Sequence, residues 1–202
     1  MALKTREKLI EVARQLFVHK GLENTTMNDI ATASDRGRRT IYTYFKNKKE
    51  IYQAVLESES DHAVAALAKV VEDTSLPLPE RLEKMLTVRI NERQNASVPY
   101  TTLRHLLKLD YRRVERIRRR VREKELQLLD SLLKQGIKEG VFDADRCSRM
   151  RSFLPACLLG FESLTTTASD EHLRSLIPEN APENFARFIV NQVIITQKEN
   201  KV

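Results

Sequence analysis

Thr26-Met27-Asn28-Asp29-Ile30-Ala31-Thr32-Ala33-Ser34-Asp35-Arg36-Gly37-Arg38-Arg39-Thr40-Ile41-Tyr42-Thr43-Tyr44-Phe45-Lys46-Asn47-Lys48 is the stretch on which the fold turns. Thr26 and Asp29 have the spacing of a reciprocal helix cap, with Asp standing in for the usual Glu. Ile30 and Ala31 face inward on the short helix that follows, which stops near Ser34-Asp35. After a break, a second short helix is expected from Thr40 to Phe45, and Lys46-Asn47-Lys48 interrupts the chain again. Two short helices across a tight turn, spanning about 26–45, have helix-turn-helix spacing. In that geometry the second helix lies in the DNA major groove and the first crosses the backbone.

Outward from this stretch, helical periodicity continues in both directions. Leu9, Ile10, Ala13, Leu16 and Phe17 follow the i, i+3, i+4, i+7, i+8 spacing of one buried face. Thr5 is positioned as the N-cap of that helix and Gly21 as its left-handed stop. Downstream, a long helix is expected from Lys49 to Val71, another from Pro79 to about Gln94, and a shorter one from Tyr100. A long helix then runs from Asp110 to Glu139, followed by helices near 146–166 and 184–197. Asp143 or Asp145 is placed to cap the first of these, and Pro155 removes a backbone donor inside it. With only 5 Gly and 6 Pro in 202 residues, sheet-rich folds with many tight turns are disfavoured. The expectation is an all-α chain of about nine helices. Residues 1–48 would form the three-helix domain and 49–202 a larger helical domain.

The net charge is +7 and the sequence pI about 9.5, but the distribution is more informative than the sum. Residues 36–49 carry six basic side chains and no acidic one. Arg38 and Arg39 fall at the start of the second short helix, where cations oppose the positive end of the helix dipole. They do not help the helix form, so a negatively charged partner is the simpler reason for them. An arginine there can grip guanine bidentately or pair with phosphate. Tyr42, Tyr44, Thr40 and Thr43 offer hydroxyls, and Lys46 and Lys48 can follow the backbone. Ile41 and Phe45 are read as core. Taken alone, such a run is more often a solvated face; in helix-turn-helix spacing a DNA contact is the better reading. A second excess, ten basic against three acidic residues over 104–124, includes Arg-rich 112–122. There Val114, Ile117 and Val121 recur at helical spacing, giving an amphipathic helix with a basic outer face. Attraction to DNA or to an acidic partner is the alternative for that face.

Gly21, Thr25-Thr26, Ile30-Ala31 and Thr40 through Lys48 together resemble the DNA-binding domain of TetR-family transcriptional regulators. The resemblance covers roughly residues 5–52 and rests most on Tyr42, Tyr44, Phe45 and Lys48. It implies phosphate contacts from Thr25 and Thr26, and DNA contacts from Arg38, Arg39, Thr40, Tyr42, Tyr44 and Lys48. The turn departs from the family pattern: Ser34-Asp35-Arg36-Gly37 stand where Ala-Gly-Val-Ser is usual, and Arg39 stands where Gly is common. An operator atypical for the family is therefore expected.

The resemblance also implies a helical ligand-binding bundle closed by two dimerising helices. Wide apolar stripes on those helices support the second point. The expected interface comprises Phe153, Cys157, Gly160, Phe161 and Leu164, with Phe185, Phe188, Ile189 and Val193. For a small-molecule pocket the candidates, by region, are Met85, Arg89, Tyr100, Arg104, His105 and Phe161. A homodimer would set two recognition helices one DNA turn apart on a palindromic double-stranded operator.

Other classes find little support. The five glycines, at 21, 37, 136, 140 and 160, form neither phosphate-binding glycine motif. No GxSxG or HExxH occurs, and the four histidines and two cysteines lack zinc-like spacing. No enzyme activity, cofactor or metal is expected. The longest apolar run, Phe153 to Phe161, is too short to span a membrane, and no signal peptide is evident. Cys147 and Cys157 on one helix would lie about 15 Å apart, too far to bridge, which suits a reducing cytoplasm. The expected function is a sequence-specific transcriptional regulator, a repressor released by a small ligand of unknown identity. The alternative is a DNA-associated architectural or protein-regulating module without an inducer.

Overall fold

A computed structural model describes residues 2–94, 111–166 and 178–195. Among the described residues there are eight helices and no strand. They are α1 (Ala2–Lys20), α2 (Met27–Ala33), α3 (Arg38–Tyr44), α4 (Lys48–Glu72), α5 (Leu78–Gln94), α6 (Tyr111–Lys138), α7 (Ala144–Thr166) and α8 (Ala181–Val193). The short helix expected from Tyr100 lies outside the described residues. Several helix bounds differ from expectation, the last helix among them, which runs Ala181–Val193 rather than 184–197. α1 begins at Ala2, so Thr5 lies inside it rather than capping it, and α3 begins at Arg38 rather than Thr40.

The chain divides into two compact units. The first contains α1–α3, α4 through His62 and α6 through Val121; the second contains the remainder of α4 and α6 with α5, α7 and α8. In the first unit, one face of α1 (Leu9, Ile10, Ala13 and Phe17) is buried against Ile30, Ile41, Phe45 and Val55. Burial of each such side chain contributes about 1.5–3 kcal/mol before chain entropy is counted. Tyr52 joins this core with its ring 6.1 Å from that of Phe17, and burial raises its phenol pKa above the ordinary tyrosine value.

Local chemistry sets the helix ends here. The Thr26 hydroxyl accepts from the Asp29 amide at 3.1 Å, and the Asp29 carboxylate accepts from the Thr26 amide at 2.8 Å. The expected reciprocal cap is thus present. These bonds, with Lys20 3.2 Å away, hold the Asp29 carboxyl below its usual range. At the other end of α2, Asp35 takes φ +56° while its amide donates to Thr32 O and that of Arg36 to Ala31 O. This is the Schellman arrangement with Asp in the position that glycine favours.

The second unit is an all-helical bundle. Leu82, Leu86 and Ile90 of α5 pack with Leu132 and Leu133 of α6, Met150 and Leu154 of α7, and Ile189 and Val193 of α8. α6 closes at Gly140 (φ +73°), with the Val141 amide donating to Gly136 O at 2.9 Å. Phe142 then turns back onto α6, and the Asp143 amide donates to Val193 O, tying this corner to the end of α8. Asp143 caps α7, its Oδ1 accepting from the Arg146 amide at 2.8 Å. α7 continues through Pro155 as one helix.

Candidate functional site

α3 is seven residues long, and its sequence dictates two faces. Ile41 is fully buried and Tyr44 half-buried against the first core, with Phe45 buried just after the helix. The opposite face presents Arg38, Arg39, Tyr42 and Thr43 to solvent, Tyr42 at 43% exposure. No acidic residue lies in the first turn, and the N-cap is Gly37 with no side-chain hydrogen bond. The Arg38 guanidinium lies over the Tyr42 ring at 5.9 Å, a stacking that orders both side chains on the surface. Arg6 lies over Phe45 at 5.4 Å. Lys46 and Lys49 are exposed just beyond the helix. This face can offer guanidinium and hydroxyl donors to an anionic groove.

The second unit contains a cavity of about 60 Å³. α5 supplies Met85, Leu86 and Arg89, while α7 supplies Leu154, Pro155, Leu158 and Leu159. α6 contributes Arg122, Glu125, Leu126 and Leu129, an i, i+3, i+4, i+7 series on a single face. Glu125 is buried and accepts from Arg89 Nε and Arg93 Nη2, both at 3.1 Å. The wall is otherwise apolar, so its charge is concentrated at one end.

Comparison with known proteins bears on both features. Residues 9–55 match the family described as bacterial regulatory proteins, tetR family. The HTH-type transcriptional regulator YhgD of Bacillus subtilis, itself uncharacterized, is 24% identical over 147 residues, covering 69% of this chain and 73% of that protein. The HTH-type transcriptional repressor KstR2 of Mycobacterium tuberculosis is 29% identical over 142 residues, covering 69% and 70%. These matches place a tetR-type DNA-binding domain at residues 9–55. The fold is similar to that of a TetR-family regulator structure from Mesorhizobium loti, which superposes with TM-score 0.70 at 17% identity, covering 96% of this chain and 99% of that one. Family and relatives are DNA-binding transcriptional regulators rather than enzymes.

As in the TetR pattern, the matched segment contains both helices of the helix-turn-helix and the whole exposed face of α3. Several residues expected at DNA also make contacts within the protein. Thr25 is fully buried, and its hydroxyl donates to Gly21 O at 2.8 Å, closing the α1–α2 turn. The Lys48 ammonium donates to Leu22 O at 2.8 Å and Glu23 O at 3.1 Å, capping carbonyls of the same turn. Tyr44 lies half in the core rather than on the open face. The hydroxyl of Thr43 donates to Arg39 O at 3.1 Å, and that of Thr26 is engaged in the α2 cap. Arg38, Arg39, Tyr42 and Lys46 remain exposed, and Thr40 is half-buried.

Of the pocket candidates, Met85 and Arg89 line the cavity. Phe161 is absent from its wall; its half-buried ring lies 5.7 Å from that of Phe185. Tyr100, Arg104 and His105 lie outside the described residues. Arg122, Glu125 and Leu129, not among the sequence candidates, also line the cavity, and their periodicity with Leu126 on one helix face is a usable signal in the sequence. On the expected dimer surface, Phe153 (45%) and Phe188 (60%) are strongly exposed, Gly160 is open, and Cys157, Phe161 and Phe185 are half-buried. Ile189 and Val193 are 1% and 0% exposed within the chain's own core. The side chain of Leu164 lies outside those described. No helix among the described residues is long and apolar enough to cross a membrane.

Proposed function

We propose that this chain is a homodimeric, sequence-specific repressor whose α3 enters the DNA major groove and whose release is controlled by a small ligand held in the second unit. The observation carrying this reading is the exposed Arg38–Arg39–Tyr42 face on the second helix of a matched tetR domain. A helix this short reads few base pairs. Two copies spaced by one DNA turn, ~34–36 Å, supply the missing specificity on a palindromic site. Functionally, residues 1–48 act as the DNA-reading part and 49–202 as the sensing and dimerising part.

The dimer surface we assign is the apolar face carrying Phe153, Leu159 and Gly160 on α7 with Phe185 and Phe188 on α8. Three large apolar side chains there, Phe153, Leu159 and Phe188, are 45–60% exposed, an arrangement that favours burial against a second copy. α4 and α6 each contribute residues to both compact units, which gives ligand binding a covalent route to the DNA-reading helices. To shift DNA occupancy from 99:1 bound to 99:1 free, the ligand must prefer the released conformer by about 5.5 kcal/mol.

The test is operator affinity at fixed salt, using a duplex selected in vitro. Arg39→Ala and Tyr42→Phe should each weaken binding by about 1–3 kcal/mol with helicity unchanged. Unchanged affinity for both removes α3 as the contact helix. Phe188→Glu should halve the mass measured by light scattering. A steep salt slope with no sequence preference would favour the architectural module instead.

A further inference from the structure

The arginine-rich opening of α6 belongs neither to the exposed face of α3 nor to the cavity lining. Residues 111–121 contain six arginines, no lysine and one acidic residue, Glu115, whereas the rest of the chain has 15 arginines and 14 lysines. Val114, Ile117 and Val121 are buried at helical spacing and seat this stretch in the first compact unit, the one that contains α3. Arg112, Arg113, Arg116, Arg119 and Arg120 lie on the exposed side. The first turn of α6 has no acidic residue, so Arg112 and Arg113 oppose the helix dipole as Arg38 and Arg39 do on α3. Arg116 stands three or four residues from Arg112, Arg113, Arg119 and Arg120, spacings at which like charges destabilise a helix. Among the described residues Arg112, Arg113 and Arg116 carry no ion pair; Arg116 Nε donates to Arg112 O at 3.3 Å. The face works against the helix that carries it, and an anionic partner supplies the reason that folding does not.

We propose that Arg112, Arg113 and Arg116 form a second phosphate-gripping strip on the first unit, engaging the duplex backbone outside the base pairs that α3 reads. The proposal rests on the DNA-binding reading above and adds an element to it. Position supports this occupant. The charge of Arg118 acts on the Tyr52 phenol, and Arg120 Nη2 lies 3.5 Å from Asp61 Oδ1, so α6 and α4 advance in the same direction. Both helices also leave the first unit at their C-terminal side, after His62 and Val121. Arg112 precedes Arg120 by eight residues. At 1.5 Å per residue that is about 12 Å along the axis. The displacement is toward the start of α4 at Lys48, which three residues separate from the end of α3. The strip thus stands toward the α3 end of the unit.

Chemistry supports it as well. The planar guanidinium fork pairs bidentately with phosphate oxygens, whereas lysine would serve equally on a face that met only water. A strip that holds phosphates carries no base information. Its loss weakens selected and unrelated duplexes alike, unlike the loss of a base contact from α3, which relaxes the choice among sequences. It also removes counterion release and therefore lowers the salt dependence of binding. An acidic polypeptide or an anionic bilayer would use the same charges and leave the salt dependence of duplex binding untouched.

The experiment is titration of the full chain with the in vitro selected duplex and a scrambled duplex of equal length, at several salt concentrations. Arg112→Gln, Arg113→Gln and Arg116→Gln combined should weaken both duplexes by the same factor, at least about tenfold, and lower the salt slope by roughly 3 per bound protomer. The selected-to-scrambled ratio should stay at the parent value. At low salt this variant should melt at the parent's temperature or above, because it relieves like-charge crowding; lost contact is thereby separated from lost folding. Replacing the same three residues by lysine keeps the charges and should keep the slope. The proposal is overturned if the glutamine variant leaves the slope unchanged, if it alters only the selected-to-scrambled ratio, or if it melts well below the parent. Binding to phosphatidylglycerol vesicles or to polyglutamate that this variant loses, with its duplex slope unchanged, gives the face to that partner and also overturns it. The α3 reading fails separately. Arg39→Ala and Tyr42→Phe with unchanged affinity, beside a lowered slope in the glutamine variant, remove α3 and leave the strip standing. Weakened binding in those two variants beside an unchanged slope in the glutamine variant removes the strip and leaves α3 standing.

Discussion

Gly136 lies inside α6, where helix propensity alone says that alanine would be better by about 1 kcal/mol. Packing says the opposite. A Cβ built on Gly136 falls 2.0 Å from Cδ2 of Phe142, 2.5 Å from Cε2 and 2.8 Å from Cγ. Ordinary carbon–carbon contact is about 3.5–4.0 Å, so the ring must retreat by roughly 1.5 Å or leave its site. It has little room to do so. Phe142 is 1% exposed, its amide donates to Gly136 O at 3.1 Å, and the next amide is tied to Val193 O. Expelling the ring costs on the scale of a Phe→Ala truncation, about 3–5 kcal/mol. After the propensity gain, Gly136→Ala should destabilise by about 2–4 kcal/mol. For a chain of this length that corresponds to a fall in Tm of roughly 5–15 °C. Urea unfolding followed by circular dichroism measures it, with protomer concentration held fixed because dimerisation would otherwise shift the midpoint. Gly136→Ala/Phe142→Leu should recover part of the loss by making room for the methyl. A Gly136→Ala protein as stable as the parent, or more so, would refute the packing argument and leave propensity in charge.

The two lysines flanking Asn47 should separate cleanly. Lys48→Met should lower stability by about 1–2 kcal/mol, since two turn carbonyls lose a charged donor. Lys46→Met should leave unfolding unchanged but reduce the salt dependence of DNA binding by about one unit of slope. The cap on α2 should be visible in acid. Because Asp29 titrates below its ordinary value of 3.8 when folded, its contribution is present above that value and lost as pH falls through the folded pKa. Asp29→Asn should therefore be less stable than the parent at pH 7, with the gap closing in stability curves taken below pH ~3.8. The cysteines should differ in reactivity. Cys147 is buried, and desolvation with Asp143 nearby raises its thiol pKa, whereas Cys157 is half-buried. In a Cys157→Ser protein, thiol labelling should wait for unfolding; rapid labelling of the native protein would contradict the burial assigned to Cys147.

Much of this molecule was legible without coordinates because helix formation is a local matter. Periodicity placed all eight described helices, and Thr26 with Asp29 announced a cap because both partners lie within one turn. The two faces of α3 follow from Ile41 and Phe45 standing opposite Arg38, Arg39 and Tyr42. The start of α3 lies two residues before the Thr40 that the sequence suggests. Gly37 carries no side-chain cap, and the left-handed residue that makes the turn is an aspartate where glycine is usual.

What the chain order could not reveal is which distant group a side chain meets. Lys48 and Thr25 sit in a stretch rich in DNA-binding chemistry, yet carbonyls 25 and 26 residues back bind the first and a turn holds the second. Ile189 and Val193 have the same apolar periodicity as Phe188, and only the packing of α5 against α8 decides which of them face inward and which is left exposed. Arg89 and Glu125 are 36 residues apart, and their pairing exists because α5 and α6 lie side by side in the bundle. Spacing along a helix fixes direction around its axis. Which neighbour covers each direction depends on how the helices stack, and that is a property of the whole fold rather than of any one segment.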